Sequence, residues 1–421
     1  MNIRHLFVFR TLRRIINIPA QQKLQNEYLR KSYRSYLIDR LHRHAFYRFL
    51  YGLEVFRIFL FSVLKMREEG QDKDLVYLIS TRNQARQIDF VRSLFPDKAF
   101  KSFDLQNEKP LGVDFVRYLP ALFCSLYVTL LYLYKSSKDE DAITLVNYIL
   151  YLCTEAFFRR IFIRLRPKAV LVANDHSAIP LGFAEAARGL DIKTIYIQHA
   201  YITDDFPPLR FNLALLDGQC ARDIYAAQGA SQTSIVFRGL EGEERSMKTD
   251  VLIQGTPLTV GLFLNVFYEE KLKNILMSLE NHPGIQRIIV RAHPAYPVNL
   301  SFLECPKVEL SSREKTLWED ADACDVVIGG NSSFHLSVLK YGVPTLYYND
   351  LDYVDYDDYN FVKNNICYEI TSIRDLNFQK AAEFYADPDW KKRFSYLDAG
   401  YGRDQEKINA ETRSAIEKQL S

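Results

Sequence analysis

Short apolar runs alternate with helical stretches through most of this chain, and that alternation constrains the fold more than any other feature of the sequence. Residues 74–80 (DLVYLIS) and 168–173 (KAVLVA) read as strands, brief and nearly free of polar residues. Such runs suit strands buried on both faces. Helices follow at 82–94 and 179–189, the second closed by Gly189. Strands at 193–198, 213–216 and 234–237 continue the series. Strand–helix–strand spacing of this kind builds a parallel sheet with helices on its faces.

The polar stretch 238–256, with Gly239, Gly242 and Gly255, reads as a linker. A second series then begins, with strands at 258–264, 285–291, 308–310, 325–328 and 344–348. Helices at 269–281, 316–323 and 333–341 separate them. A chain of 421 residues is long enough for two such domains. The expected architecture is α/β, with two Rossmann-like domains at 69–245 and 255–376 facing each other across a cleft. A helical basic segment at 1–68 precedes them, and a helical tail at 377–421 follows.

Charge adds a second constraint. Residues 1–69 hold 14 Lys/Arg against 5 Asp/Glu, although the whole chain is only +2. A basic, aromatic-rich start on a mildly acidic body suits an anionic membrane surface. No nucleic-acid-binding motif accompanies it, so nucleic acid is not an expected partner. Residues 118–134 form the most apolar run, at the short limit for a membrane span, and are expected to pack or to face the membrane. The six cysteines lie at least 19 residues apart, which fits neither a zinc site nor a small disulfide framework. Free thiols in the cytoplasm follow, and with the basic segment a peripheral position at the inner face of the cytoplasmic membrane.

Ligands of doubly wound sheets bind beyond the carboxyl ends of the strands. Three polar groups stand there. Arg291-Ala-His293-Pro294 ends one strand, and both Arg291 and His293 can donate to a phosphate. Gly329-Gly330-Asn331-Ser332-Ser333 joins a strand to a helix, where the serines would cap the helix and its first N–H groups would favour an anion. In the first series, Asn174-Asp175-His176-Ser177 and Gln198-His199-Ala200 occupy neighbouring strand ends. His199 or Asp175 is the candidate general base, the other orienting it. His176, Asp204 and Asp205 are acceptor-side candidates. The acidic stretch 350–358 lacks a calcium-loop pattern and reads as a solvated loop at the nucleotide ribose.

The His-Pro pair at 293–294, followed 39 residues after His293 by the Ser-Ser pair at 332–333, resembles two motifs of bacterial GT-B sialyltransferases, polysialyltransferases and Kdo transferases. The resemblance spans residues 168–350. It implies that His293 and the Ser332–Ser333 pair hold the phosphate of a CMP-sugar; Pro294, Arg291, Gly330 and Asn331, at the same strand ends, are the further candidates for that phosphate site. It implies a GT-B transferase of Kdo or sialic acid, with no metal and no cofactor beyond the CMP-sugar co-substrate. The acceptor would be a growing surface polysaccharide or lipid-linked glycan. The sequence departs from that family at Gln198-His199-Ala200, where an acidic pair before glycine is expected. That segment is similar to the Trp-His-Gly of teichoic acid glycerophosphotransferases. A CDP-glycerol-type phosphotransferase, a sugar-nucleotide 2-epimerase and a non-catalytic scaffold of a polysaccharide assembly complex are the alternatives.

Overall fold

A computed structural model describes residues 73–104, 151, 154–155, 157–203, 206–265, 267–293, 298, 305–352 and 356–421. The basic segment 1–68, the apolar run 118–134, and the candidates Pro294, Asp204 and Asp205 lie outside these residues. The chain forms two compact units.

The first unit is built on β1 (Leu75–Ile79), β2 (Phe100–Asp104), β3 (Ala169–Val172), β4 (Lys193–Ile197), β5 (Leu213–Leu216) and β6 (Ser234–Phe237). Their order is β2-β1-β3-β4-β5-β6. Register pairs Leu75 with both Phe100 and Ala169, and Ile195 with Leu213, all parallel. The central strands β1, β3 and β5 are buried at every position, as their uninterrupted apolar sequences require. The edge strand β2 (FKSFD) buries only Phe103 fully, and its mixed sequence hid it from pattern reading. Helix α1 (Arg82–Ser93) starts at Thr81, whose hydroxyl accepts from the Gln84 N–H at 3.3 Å. Gln84 returns an acceptor to the Ser80 N–H at 2.9 Å. Helix α2 (Ala178–Arg188) follows β3, and α3 (Gln219–Gln228) follows β5.

The second unit carries α4 (Thr249–Ile253), β7 (Leu258–Phe263), α5 (Glu269–Glu280), β8 (Ile285–Arg291), β9 (Val308–Leu310), α6 (Leu317–Asp322), β10 (Val326–Gly329), α7 (Phe334–Lys340), β11 (Thr345–Tyr348) and β12 (Tyr368–Ile370). The strand order is β12-β11-β10-β7-β8-β9, again parallel. Leu262, Ile288, Val326 and Ile328 pack with Leu276 and Leu279 of α5 to form the core on one face.

The tail expected at 377–421 divides. Helices α8 (Phe378–Ala386) and α9 (Pro388–Leu397) belong to the second unit, where Trp390 is fully buried and donates from Nε1 to the Ile366 carbonyl at 2.9 Å. Helix α10 (Gln405–Leu420) returns to the first unit from residue 406 onward. Its Ile416 and Leu420 join the core against β1, β3 and β4. The expected linker is likewise built into the second unit. Its side chains are polar, but its backbone is bonded: Arg245 and Lys248 donate to the carbonyls of Lys340 (3.1 Å) and Gly342 (2.7 Å). Among the described residues, no helix is long and apolar enough to cross a membrane.

Candidate functional site

Strand order turns two loops of each unit into candidate ligand sites. In the first sheet β1 and β3 are neighbours, and the chain builds outward from them in opposite directions. The same reversal occurs between β7 and β10 in the second sheet. A crevice opens at such a switch point, at the carboxyl ends of the strands. The loop 173–177 leaves β3 at the first switch, and the loop 330–333 leaves β10 at the second.

In the first unit a chain of hydrogen bonds organises the loop after β3. Asn174, not Asp175, shapes the turn: its side-chain oxygen accepts from the N–H groups of His176 (3.0 Å) and Ser177 (2.8 Å). This releases Asp175 from the helix-capping role that its position allows. Asp175 is buried, and the Tyr225 hydroxyl from α3 donates to its Oδ2 at 2.6 Å. Its Oδ1 lies 3.3 Å from Nδ1 of His176. Nε2 of the same ring lies 3.3 Å from the Asn174 side-chain nitrogen, a donor. When Asp175 is ionised it can only accept, so Nδ1 carries the ring proton and Nε2 the lone pair.

His199, at the end of β4, stacks on His176 with centroids 5.6 Å apart and planes at 22°. Its Nδ1 is buried and makes no hydrogen bond. The expected pairing of His199 with Asp175 is therefore replaced by a pairing of His176 with Asp175. Burial pushes Asp175 up to about 7, against the opposing pull of the Tyr225 and Tyr196 hydroxyls. Burial also pushes His176 down to about 4, and burial with the neighbouring His176 pushes His199 down to about 3. At neutral pH both imidazoles are neutral.

In the second unit, register aligns Arg291 with Phe263, and Phe263 with Gly329. The loops bearing His293 and Ser332 thus leave the same edge with one strand between them, their strand ends roughly 10 Å apart. His293 is partly buried, which lowers its pKa. Ser332 is half-buried and Ser333 exposed. Ser333 stands at the start of α7 with helical backbone angles (φ −67°, ψ −9°) and makes no side-chain cap bond. A capping serine normally has extended angles, so the expected capping role is not filled. Both hydroxyls sit beyond a helix of seven residues.

The glycines before them have packing reasons. A Cβ at Gly329 would overlap the Phe334 ring, and one at Gly330 would overlap the Asp352 carboxylate. Asn331 is buried; its carbonyl accepts from Asn265 Nδ2 at 3.0 Å, while its own Oδ1 has no partner. Arg291 turns inward: its Nη1 pairs with buried Asp320 and bonds the carbonyls of Lys315 (3.1 Å) and Thr316 (3.2 Å). It braces the β8 end against α6. The other His-Pro pair, at 282–283, is a turn in which His282 Nδ1 accepts from the Gly284 N–H at 3.1 Å.

The acidic stretch, of which residues 353–355 lie outside those described, is only partly the solvated loop expected: Asp350 and Tyr356 are exposed. Asp350 pairs with Lys271, Asp352 is buried beneath Gly330, and Asp357 accepts from the N–H groups of Phe361 (2.8 Å), Val362 (2.8 Å) and Lys363 (3.1 Å). Among the described residues, no three His, Cys, Asp or Glu side chains are grouped to hold a metal ion. Sequence reading gave no role to Tyr225 or Tyr196. Tyr225 was within reach, since it sits on the helix that must follow β5 in a doubly wound pattern.

No known family model matches the sequence, and no curated protein matches it. Among solved structures, the calicheamicin glycosyltransferase CalG4 aligns with TM-score 0.51 and 11% identity, over 83% of this chain and 99% of that one. The glycotransferase of kitacinnamycin aligns with TM-score 0.48 and 13% identity, over 84% and 100%. The wall teichoic acid polymerase TagF aligns with TM-score 0.46 and 11% identity, over 89% and 97%. At these identities likeness speaks of fold alone, and only CalG4 among the three is similar enough to carry that. The fold is α/β with two parallel six-stranded sheets, as in the two-domain GT-B glycosyltransferases.

Proposed function

We propose that this chain is a glycosyltransferase that moves a sugar, Kdo or sialic acid, from a CMP-activated donor to a hydroxyl of a surface polysaccharide or lipid-linked glycan. The observation that carries the reading is the coincidence of polar loops with both topological switch points. Ser332 and Ser333 follow β10 at one, with His293 at the end of β8 one strand away, and Asp175 with His176 follow β3 at the other. In the second unit, His293 and the serine hydroxyls would donate to the phosphate as it leaves, where negative charge develops. In the first, the acceptor's hydroxyl would replace the Asn174 amide at Nε2 of His176 and give its proton there. The oxygen then bonds the anomeric carbon, and the bond to the donor phosphate breaks with its electron pair leaving on the nucleotide. Ionised Asp175 behind Nδ1 would stabilise the imidazolium that forms. The basic segment 1–68 would hold the enzyme at an anionic membrane surface. One observation favours the CDP-glycerol-type phosphotransferase as a second reading: His199, in the segment that departs from the sialyltransferase pattern, keeps an imidazole nitrogen without a partner.

Thermal shifts with CMP, CDP, CDP-glycerol, UDP and GDP test both. A nucleotide at 100 times its Kd stabilises by about 2.7 kcal/mol, a rise of a few degrees. Selective stabilisation by CMP, lost in His293→Ala, is the expected result. Stabilisation by CDP-glycerol alone selects the second reading, and no nucleotide response removes both.

A further inference from the structure

Most of the polar groups around Asp175 are accounted for by the proposed chemistry, but two buried tyrosines are not. Tyr225 is 2% exposed and Tyr196 fully buried. Their hydroxyls lie 3.1 Å apart, and the Tyr225 oxygen also lies 2.6 Å from Asp175 Oδ2. One phenol has one proton. With Asp175 ionised, Tyr225 gives its proton to the carboxylate, and the Tyr196 hydroxyl beside it also bonds Asp175. The arrangement is held from several sides. Tyr196 stacks on Phe211 with centroids 5.2 Å apart and planes at 21°. Tyr225 meets both Tyr196 and Phe206 edge-on.

We propose that Tyr225 is a positioning residue for the Asp175–His176 pair: its phenol, anchored by the Tyr196 hydroxyl, occupies Oδ2 of Asp175 and leaves Oδ1 to the imidazole. The proposal rests on the glycosyltransferase reading for its purpose but not for its geometry. The titratable groups around Asp175 are Tyr225 from α3, Tyr196 from β4, and His176 from its own loop, with His199 beyond His176. Among the described residues none of these carries a positive charge at neutral pH, so the Tyr225 hydroxyl, with a backbone N–H and the Tyr196 hydroxyl, opposes the cost of ionising a buried carboxyl. Tyr225 itself stays a phenol, since burial and the neighbouring Asp175 push its pKa up. It is a donor at every working pH. A tyrosine pair that merely filled the core would hold the helix against the sheet without setting the ionisation of Asp175.

The test is the titration of Asp175 in the full-length protein, followed by carboxyl carbon NMR with the resonance assigned through Asp175→Asn. This needs no substrate. Tyr225→Phe removes the donor, so the midpoint should move to higher pH by about one unit, a tenfold change in the ionisation constant. Replacement of Tyr225 by 3,5-difluorotyrosine keeps the ring and strengthens the donor. The midpoint should then move to lower pH, which serves if the phenylalanine variant fails to fold. In transfer assays with a CMP-sugar the acidic limb of the rate profile should follow the same shifts. An unchanged midpoint in both folded variants overturns the proposal. If wild-type protein transfers nothing while the NMR midpoints shift, the role of Tyr225 stands and the glycosyltransferase reading falls.

Discussion

Asp352 carries its carboxyl group where water does not reach it. Neither oxygen makes a hydrogen bond of normal geometry, although the N–H groups of Asn331 and Asn265 lie near enough to offset part of the cost. Burial pushes the group up to about 7. An acid whose folded pKa is raised adds stability that is fully present below the unfolded value and is lost as pH rises through the folded one. For Asp352 that window runs from near 3.8 to about 7. The neutral isostere removes this dependence. Asp352→Asn should therefore gain on wild type by about 2 kcal/mol between pH 5 and pH 8, read from denaturant unfolding at the two pH values. An equal difference at both would mean that Asp352 is already ionised at pH 5. The same logic explains why Gly330 cannot be another residue: its hydrogen is all that fits over this carboxyl.

At the scale of elements, α7 and the loop after α9 are joined by a buried ion pair. Lys340 on α7 lies 3.0 Å from Asp398, both nearly without exposure. Lys340 also donates to the Leu240 carbonyl at 2.6 Å, and Asp398 accepts from the Leu240 and Gly400 N–H groups at 2.9 and 2.8 Å. The polar stretch 238–256 is fastened by these contacts. Removing one member leaves the other as an uncompensated buried charge, which costs about 3–5 kcal/mol. Lys340→Met should lower the stability of the second unit by that amount in urea unfolding. A loss below about 1 kcal/mol would show that water or rearrangement compensates Asp398. Helix periodicity alone placed Lys340 on α7, but not on its buried side.

For the whole molecule, the last helix is the feature that local pattern could not assign. Ile416 and Leu420 lie in the core of the first unit, against strands formed more than 200 residues earlier. Burying such side chains contributes about 1.5–3 kcal/mol each. Deletion of residues 406–421 should lower the melting temperature of the first unit strongly, or unfold it, and leave the transition of the second in place. Calorimetry separates the two transitions, and an unchanged first transition would show that α10 adds nothing to that core. Strand identity, by contrast, was legible for all described strands but β2 and β12. Residues 213–216 and 234–237 are strands at the limits read from sequence, because a short, mostly apolar and β-branched or aliphatic run between turns reports on itself.

Sequence alone determined the two strand–helix series, the fold class, and which polar loops stand at strand ends, since all of these follow from side-chain periodicity over a few residues. The tertiary structure decided the order of the strands, and with it the two switch points that single out the loops after β3 and β10. It also decided partners. Asp175 meets Tyr225 across 50 positions of chain and pairs with His176 rather than His199, and Arg291 turns to Asp320 rather than outward. Such choices depend on which distant surfaces exclude water together, and no short window of sequence contains both sides of that contact.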